Sequence, residues 1–162
     1  MRCLNVLLLS LGLLTAAIHP SAAAVPRDTI AGIAIKSGHF KTLVAALKAT
    51  GLSAVLNSPG AYTVFAPTDT AFDQLPAGTV ASLLKPSSRG KLKAILLYHV
   101  VGKIISASAI PYGITHVPTL NGKTVRVRKS HSGVRVNGAA VTTADIRASN
   151  GVIHVIDAVL LP

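Results

Sequence analysis

Apolar residues recur at helical spacing through the first half of the chain. Phe40, Leu43, Val44 and Leu47 occupy positions i, i+3, i+4 and i+7, which predicts a helix over 40–49 with one buried side. The same spacing, together with capping residues, predicts further helices over 29–36, 52–56, 68–75, 79–84 and 87–98. One strand is predicted within this helical series, over residues 62–66, because most of these residues are aromatic or β-branched.

The second half of the chain is rich in β-branched residues and in two-residue alternation, which are typical of strands. Strands are predicted over 100–101, 104–105, 115–117, 124–128, 134–136, 141–146 and 151–160. Asn121-Gly122, Ser132-Gly133 and Asn137-Gly138 lie between them as predicted hairpin turns. Because helices crowd the first half and strands the second, the predicted fold class is α+β rather than alternating β-α-β.

The N-terminus has the form of a secretory signal peptide. Arg2 gives a positively charged start, residues 4–18 are almost wholly apolar, and Ala22-Ala23-Ala24 offers a cleavage site of small residues. A membrane anchor is the alternative, but the apolar run is shorter than the roughly 20 residues that a spanning helix needs. We therefore expect residues 1–24 to be removed and residues 25–162 to form a single domain.

Cysteine and glycosylation signals bear on the compartment. Cys3 lies within the signal peptide, so the mature chain would have neither a disulfide nor thiol chemistry. The chain also has no Asn-x-Ser/Thr acceptor site. Together these absences favour a bacterial protein that is exported to the periplasm or the medium and is held by packing alone.

The chain is strongly basic, with 16 Lys and Arg residues against five acidic ones and a formal net charge of +11. Such a surface attracts polyanions, including acidic polysaccharide, lipid head groups and nucleic acid. The alternative is that the charge only keeps the protein soluble. Both interpretations stay open at the level of composition.

Three segments carry a family resemblance. They are YTVFAPTDTAF at 62–72, ILLYHVV at 95–101 and NGVIHVIDAVLLP at 150–162. In this order they resemble the first signature box, the central Tyr-His element and the second signature box of fasciclin domains. The resemblance covers about residues 29–162, and no internal repeat indicates a second copy.

The resemblance implies the fasciclin fold, a wedge of twisted β-sheet with a layer of helices on one side. It also implies a non-enzymatic module for adhesion or matrix interaction that needs no cofactor. In animal members of the family, two elements are linked to integrin binding, and the matching residues here are Tyr98, His99, Asp145 and Ile146. The alternative is structural: His99 and His154 would be buried and hydrogen-bonded, Asp145 would cap a turn, and Tyr98 and Ile146 would pack in the core.

A basic hairpin is the second candidate site. Residues 123–129 alternate, so Val125 and Val127 are predicted to face one side of the strand and Arg126 and Arg128 the other. Across the Ser132-Gly133 turn the pattern repeats, which adds Arg135 to the cationic face, with Lys123 and Lys129 near its ends. Guanidinium groups suit sulfate, carboxylate and phosphate. The alternative is an edge strand whose charges prevent aggregation.

Catalytic and metal-binding patterns are missing from the sequence. No histidine pair has the i, i+4 spacing of a zinc motif, and there is neither a Gly-x-Ser-x-Gly elbow nor a glycine-rich phosphate loop. The five aspartates give no convincing pair for glycoside hydrolysis. We therefore expect no enzyme activity, no cofactor and no metal.

The sequence thus predicts a secreted adhesion module that binds a cell-surface or matrix protein, an acidic polysaccharide, or both. The alternative is a carrier of a small apolar ligand, which would need a cavity between the helices and the sheet. Specific nucleic-acid binding is not expected, because no aromatic residues interleave with the basic ones. No transmembrane segment is expected in the mature chain. A weak homo-oligomer is a further expectation, since assembly would add avidity to one weak site.

Overall fold

The computed structural model describes residues 28–162, so the expected signal peptide lies outside the described residues. The helices are α1 (Ile30–Ser37), α2 (Lys41–Thr50), α3 (Leu52–Asn57), α4 (Asp69–Asp73), α5 (Thr79–Leu84) and α6 (Arg89–Tyr98). The strands are β1 (Tyr62–Pro67), β2 (Val100–Val101), β3 (Gly113–Pro118), β4 (Thr124–Ser130), β5 (Gly133–Val136), β6 (Ala139–Ala148) and β7 (Gly151–Ile156). Short 3₁₀ turns lie at Pro86–Ser88 and Ala107–Ala109. The predicted α+β class is confirmed.

The predicted strand over 104–105 is wrong. Ile104 is exposed, and the backbone around Ile105 is held by side chains instead of a neighbouring strand. The Ile105 amide donates to Thr63 Oγ1 at 2.8 Å, and its carbonyl oxygen lies 2.7 Å from His154 Nε2. The predicted strand over 151–160 is also too long, because the chain leaves the sheet after Ile156.

All seven strands form one sheet in the order β2-β1-β7-β6-β5-β4-β3. The pairing of β1 with β7 is parallel, and every other pairing is antiparallel. All six residues of β7 are buried, because this strand lies between β1 and β6 with a packed layer on each face.

Two apolar clusters form the core. Val64 and Ile153 belong to the cluster that packs against the helices, which includes Leu43, Leu47 and Leu96. The other cluster lies on the opposite face of the sheet, and its members include Phe65, Tyr98, Val125, Val127, Val136 and Ile156. Neighbouring residues of one strand enter different clusters because side chains alternate between the two faces.

The corner after β1 joins two helices. Thr68 Oγ1 accepts a hydrogen bond from the Ala71 amide and caps α4, as predicted. The Asp69 carboxylate reaches instead to the start of α2, where it accepts hydrogen bonds from the amides of Lys41 at 3.2 Å and Thr42 at 2.8 Å. Partial burial alone would raise the pKa of the Asp69 carboxyl, but the hydrogen bonds from Thr42 and Lys41 outweigh it and lower that pKa.

Asn150 and Gly151 join the helical layer to the central strand. The Asn150 side chain is buried. Its Nδ2 donates to the carbonyl oxygens of Leu56 and Ser58, and its Oδ1 accepts from the Ile30 backbone amide at 3.0 Å. A Cβ atom at Gly151 would overlap the Tyr62 carbonyl oxygen and would lie 2.9 Å from Ile30 Cδ1. Only glycine therefore lets β1, β7 and α1 approach this closely.

We predict that Gly151→Ala lowers the free energy of unfolding by about 3 kcal/mol or more, because backbone must move to relieve the overlap. Gly90→Ala is the control: Gly90 lies in α6, and apart from the backbone of its own helix and its chain neighbours no atom lies within 4 Å of the new Cβ. This substitution should be neutral or stabilise by up to about 1 kcal/mol. Urea unfolding of both variants checks this. Equal effects of the two substitutions would contradict it.

Candidate functional site

The basic face comprises Arg126, Arg128 and Arg135 on the outer side of β4 and β5. Val125 and Val127 alternate with Arg126 and Arg128 along β4 and are almost fully buried, at 0% and 1% exposure. Arg128 lies directly opposite Arg135 in the ladder. The predicted alternation is therefore confirmed, and the structure brings the three arginines together.

The three arginines line a shallow recess of about 260 Å³, together with Ile114 and Gly138. Ile114 and His116 lie opposite Arg128 and Arg126 on β3, the neighbouring strand. No carboxylate lines the recess. Within residues 28–162 the one salt bridge joins Lys36 to Asp28, so it involves none of the three arginines. Two arginines in direct opposition repel one another, so the basic face favours an anion that lies between them.

The two lysines predicted near the ends of the face differ in their surroundings. Lys123 is exposed just before β4. The Lys129 ammonium group turns away and donates to the carbonyl oxygens of Ala107 at 2.9 Å and Ile110 at 3.0 Å. It also lies 5.0 Å from the centroid of the Tyr112 ring. Strand alternation explains this, because Lys129 follows Val125 and Val127 in facing away from the arginines.

Tyr98 is buried at the end of α6 and contacts the basic hairpin from within. Its hydroxyl donates to the Thr124 carbonyl oxygen at 3.2 Å and accepts from Asn137 Nδ2 at 2.7 Å. Asn137 Oδ1 in turn accepts from the Arg126 amide at 2.8 Å. The predicted packing role of Tyr98 is confirmed, and the Tyr-His element supports the strand that carries Arg126.

His99 is fully buried and uncharged. Its Nδ1 donates to the Ile95 carbonyl oxygen at 2.7 Å, and its Nε2 accepts from the Leu160 amide at 3.0 Å, which fixes the tautomer. Burial lowers the pKa of His99 to about 4, although the hydrogen bond to Ile95 acts in the opposite direction. The predicted role of a buried, hydrogen-bonded histidine is confirmed.

Asp145 and Ile146 lie at an irregularity of β6. Asp145 has a positive φ of 57°, and its carboxylate accepts from the Ala107 amide at 2.8 Å, so it caps the second 3₁₀ turn. Its own amide donates to Nδ1 of the buried His154 at 3.2 Å, and the His154 ring stacks on Phe65. Ile146 packs against the helix-side cluster. The alternative predicted for each of these residues, a capping or packing role, is confirmed.

Two residues that contact β4 are not singled out as site residues by the sequence pattern. Asn137 was predicted only as a turn residue, yet its side chain joins Tyr98 to Arg126. The signal was its place in an Asn-Gly pair next to a basic strand; φ is 48° at Asn137 and 98° at Gly138, as in the tight turns of hairpins. Tyr112 carried no pattern, because its neighbours in space come from the next hairpin.

Within 28–162 no group of three or more His, Cys, Asp or Glu side chains is placed to hold a metal ion. None of the helices in this part of the chain has the length and apolar character needed to cross a bilayer.

Comparison with known proteins gives consistent matches. The sequence model of the fasciclin domain matches residues 38–162. Protein sll1483 of Synechocystis sp. is 47% identical over 146 residues, which cover 90% of this chain and 80% of that protein. The cell surface glycolipoprotein MPT83 of Mycobacterium tuberculosis is 35% identical over 147 residues, which cover 88% of this chain and 64% of that protein.

Two animal proteins match as well. Transforming growth factor-beta-induced protein ig-h3 of Sus scrofa is 39% identical over 137 residues, which cover 85% of this chain but 20% of that protein. A solved FAS1 domain pair from the insect cell adhesion molecule fasciclin I superposes with a TM-score of 0.66 at 24% identity, covering 85% of this chain and 52% of that one. The structural match shows the fold, and the similar proteins include ones named for the cell surface and for cell adhesion.

We predict that Tyr98→Phe lowers the free energy of unfolding by about 1–2 kcal/mol, because the Asn137 amide and the Thr124 carbonyl oxygen lose a partner. The matched control is Tyr112→Phe, which removes a hydroxyl from an exposed ring and should change stability by less than about 0.5 kcal/mol. Urea unfolding measures both. If the two variants lose the same stability, the Tyr98–Asn137 contact has no role in holding the hairpin.

We also predict a loss of stability in mild acid that arises from His99. Unfolded His99 binds a proton below about pH 6.5, whereas the folded form resists protonation until about pH 4. The free energy of unfolding should therefore fall between these values, by up to about 3 kcal/mol, and be unaffected by His99 at pH 7 and above. Imidazole NMR of the native protein should show His99 still neutral at pH 5. A protonated ring at that pH in folded protein would contradict the assignment, and the exposed His116→Gln variant should keep the same stability profile.

Proposed function

Because the chain belongs to the fasciclin domain family, we propose that it is a secreted, non-enzymatic adhesion module that binds acidic polymer of a cell surface or matrix through the basic face. Its relatives named for the cell surface and for cell adhesion support the general role. The finer assignment, the surface and the class of ligand, is argued from the described residues.

The position of the arginines in the sheet carries the proposal. The alternative of a charged edge strand does not fit, because β4 and β5 are interior strands and the edge strand on that side is β3. Charges on interior strands do nothing to block pairing at an edge. Within residues 28–162 these three arginines have no acidic partner, and guanidinium groups gathered around one recess suit carboxylate, sulfate or phosphate groups.

Burial favours the basic face over the Tyr-His element as the contact surface. Tyr98 and His99 are 5% and 2% exposed, and their polar atoms are occupied by neighbours inside the domain. The Asp145 carboxylate is engaged with the Ala107 amide. A protein partner would therefore meet few free groups at these positions, whereas the arginines are exposed and without an acidic neighbour in their recess.

The carrier alternative needs space between the helices and the sheet. The apolar cleft there, lined by residues of α2, α3, α6 and β2 with Leu120, has a volume of about 10 Å³, which is about the space that one water needs. A groove of about 330 Å³ does lie between α1 and α2, lined by Ile35, Val44 and two lysines, but it is open to solvent. An adhesion role therefore fits the packing better than transport of an enclosed ligand.

The test is binding of the mature protein to acidic and neutral polysaccharides at low and physiological salt. Arg126→Ala/Arg128→Ala/Arg135→Ala should weaken binding to acidic polymers by about tenfold or more, since each charged hydrogen bond contributes about 1.5–3 kcal/mol before screening. The control is Arg89→Ala/Lys91→Ala/Lys93→Ala, which removes the same charge from exposed positions of α6. Equal loss in both triple variants would mean that net charge alone attracts the polymer, and no loss in either would refute the proposal.

A further inference from the structure

The β3 strand is an open edge of the sheet. It ends the strand order, so only its β4 side is paired, and the register of that pairing is continuous over six residues. The other edge strand, β2, has two residues, and the Leu120 amide donates to the Val100 carbonyl oxygen there at 2.9 Å. Of the two edges of the described sheet, β3 therefore offers the longer stretch of unpaired backbone.

The hydrogen bonds of β4 show which backbone groups of β3 are free. Arg126 uses both of its backbone groups on the β5 side: its carbonyl oxygen accepts from the Asn137 amide, and its amide donates to Asn137 Oδ1, each at 2.8 Å. His116, which lies opposite Arg126, therefore forms no backbone hydrogen bond to β4. Hydrogen-bonded and non-hydrogen-bonded pairs alternate along an antiparallel ladder, so the same holds for Ile114. The N–H and C=O groups of both residues point away from β4, and within residues 28–162 no other backbone group bonds to them.

The sequence of β3 lacks the features that protect an edge. Natural edge strands are guarded by charged side chains, by proline or by a β-bulge. Residues 113–118, GITHVP, have no Lys, Arg, Asp or Glu, and the one proline is the last residue of the strand. The pairing with β4 has no bulge. Ile114 and His116 are exposed, so an incoming strand can reach the backbone of both.

The charge beside the edge decides which strand fits it. Residues opposite one another in a ladder have their side chains on one face, so Ile114 and His116 share the face of the arginines, and Ile114 lines their recess. A second copy of this chain would bring a second basic face beside the first, and with a formal net charge of +11 each the copies repel one another. An acidic strand is attracted instead. It would lie two strand spacings, about 10 Å, from β4, a distance that the long side chains of glutamate and arginine span together.

We propose that an extended, acidic segment of a partner protein adds to β3 as a further strand, hydrogen-bonded to Ile114 and His116, with its carboxylates turned toward the basic face. In this mode of binding the main-chain hydrogen bonds give affinity and alternate side chains give specificity. Acidic residues are expected at every second position of the segment, with β-branched residues between them on the side of Thr115 and Val117. The proposal goes beyond the proposed function, because it adds a separate contact surface and a partner of another class.

Amide hydrogen exchange of the folded mature protein tests the edge directly. In the free protein the Ile114 and His116 amides should exchange at least about tenfold faster than the Val117 amide, which faces β4. An excess of a ten-residue peptide that alternates Glu with Val or Thr should slow exchange at Ile114 and His116 by about tenfold or more. Protection of these amides without peptide would mean that the edge is already covered, and protection that rises with protein concentration alone would identify a second copy as the occupant. Either result overturns the inference.

A backbone variant tests the same contact by affinity. His116→Pro removes one outward N–H and should weaken peptide binding about five- to tenfold, whereas the matched control His116→Ala keeps the N–H and should stay within about twofold. Proline is tolerated in an edge strand where its nitrogen faces solvent, and circular dichroism checks the fold. If His116→Pro fails to fold, the same peptide N-methylated at alternate residues replaces it and should bind the unmodified protein about tenfold more weakly. Equal binding of the methylated and unmethylated peptides overturns the inference.

Polysaccharide binding separates this inference from the proposed function. His116→Pro should bind acidic polysaccharide within about twofold of the unmodified protein, whereas the triple arginine variant should weaken both ligands. Peptide binding that falls in the arginine variant but not in His116→Pro would mean that the peptide is held as a polyanion only, which overturns the edge contact and leaves the proposed function intact. Protection of the edge by peptide in a protein that binds no polysaccharide would support the inference and refute the proposed function alone.

Discussion

The fold depends on the close parallel contact between β1 and β7, which brings the start of the sheet together with the end of the chain. Pairing strands so far apart in sequence requires closing a long loop, which opposes folding until the contact is made. The Asn150 side chain supports this contact by satisfying backbone groups of α1, of α3 and of the turn after α3. The backbone carbonyl oxygen of Asn150 also accepts a hydrogen bond, at 3.1 Å, from the amide of Tyr62, the first residue of β1. Asn150 and Gly151 thus set the distance between the helical layer and the sheet.

A central strand buried on both faces divides the core and leaves polar groups inside. His99 and His154 lie within the folded domain, and each uses both ring nitrogens on backbone groups. The two rings satisfy irregular backbone that no strand reaches, at Ile105 and at Leu160. Both ring nitrogens of each histidine are therefore occupied by hydrogen bonds within the domain. Because His99 is buried, protonation of its ring in acid opposes the native state.

The sequence was sufficient for elements whose signals are local. Helical spacing at Phe40, Leu43 and Leu47 predicted the buried side of α2, and alternation at 125–128 predicted which side of β4 carries arginine. It was insufficient where the deciding partner is distant. The 104–105 segment has strand-like residues but is held by Thr63 and His154, and Asp69 caps a helix other than its own. The parallel pairing of β1 and β7 was not predicted, since no local pattern specifies it.

The same limit applies to the candidate site. Composition and alternation placed Arg126, Arg128 and Arg135 on one face, but the interior position of their strands required the sheet order. Lys129 was grouped with them by sequence proximity, whereas the pleat directs it toward Tyr112 and the backbone of the second 3₁₀ turn. The exposed Tyr112 was undetectable because exposure is a property of the assembled domain.

The core contacts and the proposed binding surface occupy opposite sides of the same two strands. Val125, Val127 and Val136 are at most 1% exposed and anchor the second cluster, while the arginines between them face solvent. The repulsion between Arg128 and Arg135 lowers the stability of the sheet by about a few tenths of a kcal/mol. The packing of the valines on the other side of the strands offsets this loss. Because side chains alternate, the arginines make no part of the core contacts of β4 and β5, and an anion bound between them would relieve the repulsion. On the proposed function, the basic face is a preformed site whose charge repulsion is relieved by its ligand, and it lies on strands whose other side is anchored in the core.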